Sequence, residues 1–184
     1  MISELALLKA QDALRKRKVE LRWKISAPAE ERDILDCERI LGVTFPHDVR
    51  KALLQADGIF IEERLPTEIP PYGGYGLSLT LLGLEAISEM TQELRSIGSE
   101  LDLRCAPYLV ALVDFQNGDY VTLDATPGRH RIFAAYSDES VCWDDCASIA
   151  SSYNDLLNKV VDSMNRGNPA VYWQGDVEAV FRDF

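Results

Sequence analysis

The chain has 184 residues, of which 47% are hydrophobic, enough for one globular domain with a sizeable core. No apolar run approaches the length that crosses a bilayer, and the basic cluster near the start follows the first apolar residues, unlike a signal peptide. The formal net charge is -11, which disfavours nucleic acids and anionic membranes as partners. We therefore expect a cytoplasmic protein that binds neither.

The charge is distributed unevenly along the chain. Residues 1–24 have a net charge of +4, so residues 25–184 carry -15. Residues 132–158 contain five acids and no Lys or Arg. Such a surface attracts a basic protein partner. Simple solubility is the alternative explanation, because acidic domains are common.

Two helices are predicted at the start of the chain. Apolar residues at near-helical spacing indicate an amphipathic helix over residues 2–22, with the basic sequence RKRK at 15–18 on its solvated face. A second helix is predicted to begin near Ser26, which would act as its N-cap. Glu38 falls beside the buried face of this helix, so its carboxylate needs a hydrogen-bond partner.

The stretch that follows is rich in residues that end and begin helices. Gly42 supplies the left-handed conformation that ends a helix, and Pro46 is suited to the first turn of the next one. Asp57 and Gly58 close that third helix. The pattern predicts an angled helix pair that serves as a scaffold.

The middle of the chain predicts strands around a helix. The sequence IFIEE at 59–63 indicates a short strand, and LSLTLLGL a buried strand followed by a helix over residues 85–97. Between these strands lies a loop rich in Pro, Gly and Tyr. Tyr72 and Tyr75 on that loop are candidate contact residues for a partner.

The clearest β region lies in the second half of the chain. Asn117 and Gly118 form a strong tight-turn signal between two apolar strands, and Pro127-Gly128 leads into a third. A closing helix is predicted over residues 148–164. Helices, strands, helix, strands and helix in this order predict a single α+β domain with a mainly antiparallel sheet.

The sequence contains no catalytic motif, no metal-ligand spacing and no phosphate-binding loop. Asp114, Asp119 and Asp124 surround the hairpin, and we interpret them as turn residues that bond the local backbone rather than as a carboxylate cluster. The four cysteines and two histidines have no spacing typical of a zinc site or a disulfide framework. We therefore expect a non-enzymatic protein without cofactor or metal. An enzyme whose carboxylates assemble from distant segments is the alternative.

The order of these motifs resembles the SMI1/KNR4 (SUKH) superfamily over about residues 25–163. The shared features are a helix with a Glu, a Leu-Gly step, a Pro that opens the next helix, and a Gly-Asp turn before a strand that ends in Asp. Two mild departures are Phe45, where Leu is usual, and Asp57, where Asn is usual. The residues that carry the resemblance are Glu38, Gly42, Pro46, Gly58, Gly118, Asp119 and Asp124.

The resemblance implies a domain at 25–164 and leaves a helical extension at 1–24 and a C-terminal extension at 165–184 outside it. We expect the C-terminal extension to dock on the same domain, with a partner surface as the alternative. It carries no catalytic residues. Its bacterial members are implied to be immunity proteins that neutralise toxins, many of them nucleases. The fungal branch is linked to regulation of cell-wall glucan synthesis, so a regulatory or scaffold module is the alternative function.

An acidic stretch with an aromatic residue is the candidate contact surface for a basic toxin. A nuclease has a basic active-site cleft, which an acidic protein can occupy in place of nucleic acid. The alternative is that the Trp belongs to the core and the acids are merely solvated. The candidate residues are Asp138, Glu139, Trp143, Asp144 and Asp145.

Overall fold

A computed structural model describes residues 4–16, 18–64, 76–116, 118–135, 144 and 146–165. Tyr72, Tyr75 and the predicted C-terminal extension at 165–184, apart from residue 165, lie outside the described residues. The elements are α1 Glu4–Arg15, β1 Glu20–Ile25, α2 Glu31–Leu41, α3 His47–Leu53, β2 Ile59–Arg64, β3 Gly76–Leu81, α4 Leu84–Glu100, a one-turn 3-10 helix Ala106–Tyr108, β4 Leu109–Asp114, β5 Tyr120–Asp124, β6 Arg131–Ala135 and α5 Tyr153–Asn165.

The six strands form one sheet in chain order, and every neighbouring pair is antiparallel. β4, β5 and β6 are buried along nearly their whole length, so this half of the sheet forms the centre of the core. Helices at the start, middle and end of the chain pack against the sheet and each other. The predicted α+β domain and its antiparallel sheet are confirmed.

The pairing of β3 with β4 is short, with two residue pairs, after which the amide of Leu82 donates to the carbonyl of Leu112 at 3.0 Å. α4 supplies hydrogen bonds along the rest of that edge of β4. The hydroxyl of Thr91 accepts the amide N–H of Ala111 at 2.9 Å. Arg95 Nε donates to the carbonyl of Leu109 at 2.9 Å, and its Nη1 donates to the carbonyl of Leu41, at the end of α2, at 2.7 Å. One helix therefore completes a strand edge and holds α2.

The predicted helix over residues 2–22 is wrong in its second half. α1 ends at Arg15, and Lys18 adopts a left-handed conformation with φ 61°. From Val19 the side chains of VELRWKI alternate between apolar and polar, which is the period of a strand. Residues 20–25 pair with β2 along their full length, so the period-2 pattern overrides the helical one.

Two further helices begin later than predicted. α2 begins at Glu31 with Glu30 as its N-cap residue, so Ser26 is not the N-cap. The amide of Ser26 instead donates to the carbonyl of Gly58 at 3.1 Å, which holds this segment extended. α5 begins at Tyr153, because residues 149 and 150 bond to β6.

Glu38 is the buried carboxylate that fixes the turn from α2 to α3. It is 7% exposed, and its Oε1 accepts the amide N–H of Phe45 at 2.7 Å. Arg50 of α3 forms an ion pair with its Oε2 at 3.3 Å. Gly42 ends α2 with φ 66°, and Pro46 is the N-cap residue of α3. The predicted end of α2 at Gly42 is confirmed, whereas α3 ends at Leu53 rather than at the predicted Asp57-Gly58, because the amide of Asp57 donates to the carbonyl of Ala27 instead. The predicted need of Glu38 for partners is met by one amide and one guanidinium.

The turn that follows α3 is in close contact with the start of α4. The Asp57 side chain accepts the amide N–H of Leu84, the first residue of α4, at 2.7 Å. A Cβ atom at Gly83 would lie 2.6 Å from the Asp57 carbonyl oxygen and 2.9 Å from its Oδ1. Gly83 has φ -84°, so its backbone would accept any residue, and steric contact alone requires glycine.

We expect Glu38→Ala to lower the free energy of unfolding by about 3 kcal/mol, because it leaves the buried Phe45 amide without its acceptor and removes one partner of Arg50. Glu31→Ala is the matched control, since Glu31 pairs with the same Arg50 from an exposed position. Its expected cost is below about 1 kcal/mol. Urea denaturation of both variants measures the difference, and equal costs would contradict the assigned role of Glu38.

We expect Gly83→Ala to cost about 2–3 kcal/mol, because the new methyl group overlaps backbone that cannot move away. Gly42→Ala is the comparison, since a Cβ there has no atom within 4 Å and meets conformational strain alone. That strain costs about 1 kcal/mol. Calorimetric unfolding of both variants checks the order of the two costs, and the reverse order would refute the steric argument.

Candidate partner-binding surface

One residue of the predicted acidic contact stretch is among the described residues. Asp144 is placed by the structure, and partner binding through the stretch as a whole stays a prediction. The predicted contact residues that lie outside the described ranges are Asp138, Glu139, Trp143, Asp145, Tyr72 and Tyr75.

The carboxylate of Asp144 is bonded inside the domain. Its Oδ2 accepts the amide N–H of Arg104 and its Oδ1 that of Cys105, each at 3.0 Å. Arg131 donates to the carbonyls of Asp144 and Cys146 at 2.9 and 2.6 Å. Burial raises the pKa of Asp144, but these hydrogen bonds outweigh it and hold the pKa below its ordinary value. Asp144 thus joins its segment to the start of the 3-10 helix. Reversing its charge would break these hydrogen bonds as well as change the charge of the surface.

The hairpin aspartates bond the local backbone, as predicted. Asp114 Oδ1 accepts the amide N–H of Gln116 at 2.6 Å, and Asp124 Oδ1 accepts that of Thr126 at 3.0 Å. Asp124 is 1% exposed and lies 3.8 Å from a guanidinium nitrogen of Arg131. These two residues are therefore turn residues rather than members of a carboxylate cluster.

The hairpin loop itself is confirmed, although Asn117 lies outside the described residues. Gly118 has φ 94° and Gln116 has φ 58°, so both flanks of Asn117 are left-handed. The amide of Phe115 donates to the carbonyl of Asp119 at 3.1 Å, which closes the loop. Asp119 is buried, with 5% of its surface exposed. These residues hold the ends of β4 and β5 together.

The two buried thiols are poorly suited to nucleophilic chemistry. Burial, helped by the charge of Glu38, raises the pKa of Cys37 to about 11. Burial and a hydrogen bond with Asp144 raise the pKa of Cys105 to about 12. A thiol that does not ionise near neutral pH is a weak nucleophile. Across the described ranges, no three His, Cys, Asp or Glu side chains are grouped closely enough to hold a metal ion.

α4 has an acidic outer face. Glu85, Glu89 and Glu93 are spaced four residues apart and therefore share one side of the helix, and all three are exposed. Glu100, also exposed, lies at the C-terminal end. The one cation of the helix, Arg95, turns inward to the backbone of α2 and β4. The outer face of α4 is thus acidic without a compensating base.

The charges of Glu89, Glu93 and Glu100 oppose the stability of α4, whereas Glu85 lies in the first turn, where the helix dipole favours an acid. Like charges four residues apart repel each other, and Glu100 lies at the helix end where the dipole favours a cation. In the part of the chain that the structure describes, no Lys or Arg lies within ion-pair distance of any of the four glutamates. Residues kept at a cost to stability are characteristic of a functional surface.

The acidic face continues from α4 onto the sheet. Asp114 pairs with Tyr120 across β4 and β5, so their side chains share one face of the sheet, and the hydroxyl of Tyr120 is 3.5 Å from Met90 Sδ of α4. Burial raises the pKa of Asp114 above its ordinary value, and the charge of Glu93 adds to the effect. We use the term acidic surface for Glu85, Glu89, Glu93, Glu100 and Asp114.

The glutamate spacing that forms the acidic surface is visible in the sequence, but no partner surface was predicted there. A helix over residues 85–97 was predicted from the apolar spacing at Ile87, Met90 and Leu94, and the helix of the structure extends to Glu100. The same segment carries a glutamate every four residues from Glu85 to Glu93. A count of charges by helix face would have found the surface. Its continuation to Asp114 depends on the packing of α4 against the sheet, which the sequence does not show.

The surface can attract a cationic partner and repel phosphate groups. Of the helices among the described residues, none has the length and apolar character to cross a membrane.

Comparison with known proteins identifies the family. A search of curated proteins finds no match. The family model described as SMI1 / KNR4 family (SUKH-1) matches residues 28–159, which includes α2 through most of α5. α1 and β1 precede the matched range. Family membership supports an immunity or a regulatory role and the binding of protein partners in general. Because the match covers well over half of its length, the chain belongs to the SMI1/KNR4 family (SUKH-1).

Proposed function

We propose that this chain is a non-enzymatic immunity protein that neutralises a cognate toxin of the nuclease type by covering a basic site on it. The observation that carries the proposal is the acidic surface on α4, on which exposed glutamates repeat every four residues and, among the described residues, have no Lys or Arg within ion-pair distance. Membership of the SMI1/KNR4 family supports the same function.

The chemistry of the target explains why an acidic surface suits this task. A nuclease holds a phosphate backbone and therefore presents Lys and Arg side chains around its active site. The acidic surface offers five carboxylates in the place of phosphates. The net charge of -11 also accelerates encounter with a basic protein, so the toxin is captured early.

The buried side of α4 suits it to present these charges. Hydrogen bonds of Thr91 and Arg95 join the inner face of α4 to β4 and α2, which fixes the position of the helix. Side chains on a rigid element lose less entropy on binding than those on a mobile loop. The backbone positions of the glutamates are therefore already ordered before the partner binds.

A regulatory or scaffold module linked to cell-wall glucan synthesis remains the alternative function, because the family name covers both branches. The partner distinguishes the two. A single basic protein captured in stoichiometric amount supports immunity, whereas several wall-synthesis proteins or glucan itself would support the alternative.

The first prediction concerns association with the captured partner. Replacing Glu85, Glu89 and Glu93 by Gln is expected to lower the association rate constant about tenfold at low ionic strength, because the row of charge that steers the partner is lost. In 1 M salt, where the Debye length is about 3 Å, the difference should nearly vanish. Stopped-flow mixing at several salt concentrations measures both effects.

A variant with the same change in net charge is the control. Asp12→Asn, Glu30→Gln and Asp162→Asn together neutralise three exposed acids outside α4. This control is expected to slow association by less than about threefold. If both triple variants slow association equally, overall charge rather than the acidic surface steers the partner.

The second prediction concerns stability without a partner. Glu89→Gln is expected to raise the free energy of unfolding by about 0.5 kcal/mol, since it removes repulsion with both Glu85 and Glu93. Glu85→Gln should raise the free energy of unfolding by a smaller amount or lower it, because Glu85 is in the first turn and interacts favourably with the helix dipole. Urea denaturation at low salt compares them. A destabilised Glu89→Gln would show that Glu89 is kept for stability.

A further inference from the structure

An apolar cavity of about 230 Å³ lies among α1, α3, α5 and the ends of β1, β2 and β3, away from the acidic surface. Its wall includes Leu53, Ile59, Leu81 and Leu157, which are between 3% and 7% exposed. These side chains come from α3, β2, β3 and α5. The cavity is therefore built by the convergence of four elements and is not a gap within one loop.

Part of the wall is rigid. Gly58 lines the cavity and lies against Gly83, so that a Cβ at Gly58 would be 3.0 Å from the Gly83 nitrogen. The same junction is held by the bond from Asp57 to the start of α4. The cavity cannot close by movement of this turn, and its volume is maintained by backbone contacts.

The polar residues of the cavity are at its rim. Glu4 and Gln55 are exposed, and Ile25 is 37% exposed, whereas the wall residues named above are buried. The exposed side chains mark the opening to solvent. Tyr153, which is 6% exposed, supplies an aromatic ring with one hydroxyl to the lining.

We propose that this cavity binds a small ring-bearing apolar molecule whose polar end is neutral or cationic. An apolar cavity of roughly 150 Å³ lined by Leu, Ile and Phe stays dry and binds benzene in another protein. The present cavity is larger and similarly lined, so it accommodates a fused two-ring molecule. The site is independent of the proposed toxin neutralisation.

The charges around the cavity select among such molecules. Glu4 places a carboxylate at the rim. Burial and the charge of Asp48 raise the pKa of Tyr153, so Asp48 also adds negative potential on this side. No Lys, Arg or His is among the described residues that line the cavity. An anionic ligand is thus repelled, whereas a cationic end is attracted to Glu4.

Three probes with the same ring and different charge test the proposal on the full chain: indole, tryptamine and indole-3-acetate. Calorimetric titration should show saturable binding of one molecule of indole and of tryptamine. Indole-3-acetate should bind about fivefold more weakly than indole, and Glu4→Gln should reduce the preference for tryptamine. Methyl NMR of the wild-type protein should locate the shifts at Leu53, Ile59, Leu81 and Leu157.

Ala56→Leu fills the cavity, which Ala56 lines, and should abolish binding of indole. Ala147→Leu adds the same side chain at an exposed position outside the lining and should leave binding unchanged. No saturable binding of indole up to millimolar concentration, or methyl shifts away from the cavity, would overturn the proposal. The NMR result on the wild-type protein tests the location of the site even if Ala56→Leu does not fold.

Discussion

The buried ion pair between Glu38 and Arg50, together with the amide of Phe45, determines how the first half of the chain is arranged. A carboxylate that is 7% exposed would be costly without partners, so the turn that supplies them is strongly favoured over any other. This turn sets the direction of α3. The end of α3 then brings Asp57 to the first amide of α4, and α4 completes the edge of β4. Each junction is fixed by one or a few polar contacts in an otherwise apolar interior.

α4 carries two functions on opposite faces. Its inner face holds the fold through Thr91 and Arg95, whose polar groups bond to backbone. Its outer face carries the glutamates that we assign to partner binding, which form no ion pair with a Lys or Arg of the described ranges. Because the two sets of residues do not overlap, the acidic face can change in sequence while the fold is retained.

The sequence predicted the elements that local chemistry determines and missed those that depend on distant contacts. Gly42 ends α2 and Pro46 precedes α3 by their own backbone preferences, so these two positions were predictable, whereas α3 ends at Leu53, before the predicted Asp57-Gly58. The strand at 20–25 was missed because the apolar period of α1 was extended past Arg15, although the alternation from Val19 was visible. The role of Asp144 could not be predicted, since its amide partners Arg104 and Cys105 are about forty residues away in the chain. The cavity likewise results from four elements that are separated in sequence.

The short pairing of β3 with β4 has a consequence for how the protein can fail. Ala111 donates its amide to a side-chain hydroxyl of α4 rather than to a strand. If α4 leaves the sheet, the amide of Ala111 and the carbonyl of Leu109 become an open edge in the most apolar strand of the protein. Such an edge pairs readily with a strand of another molecule. α4 is thus a cover against aggregation, and damage to its docking would expose this edge and at the same time separate the glutamates of α4 from Asp114.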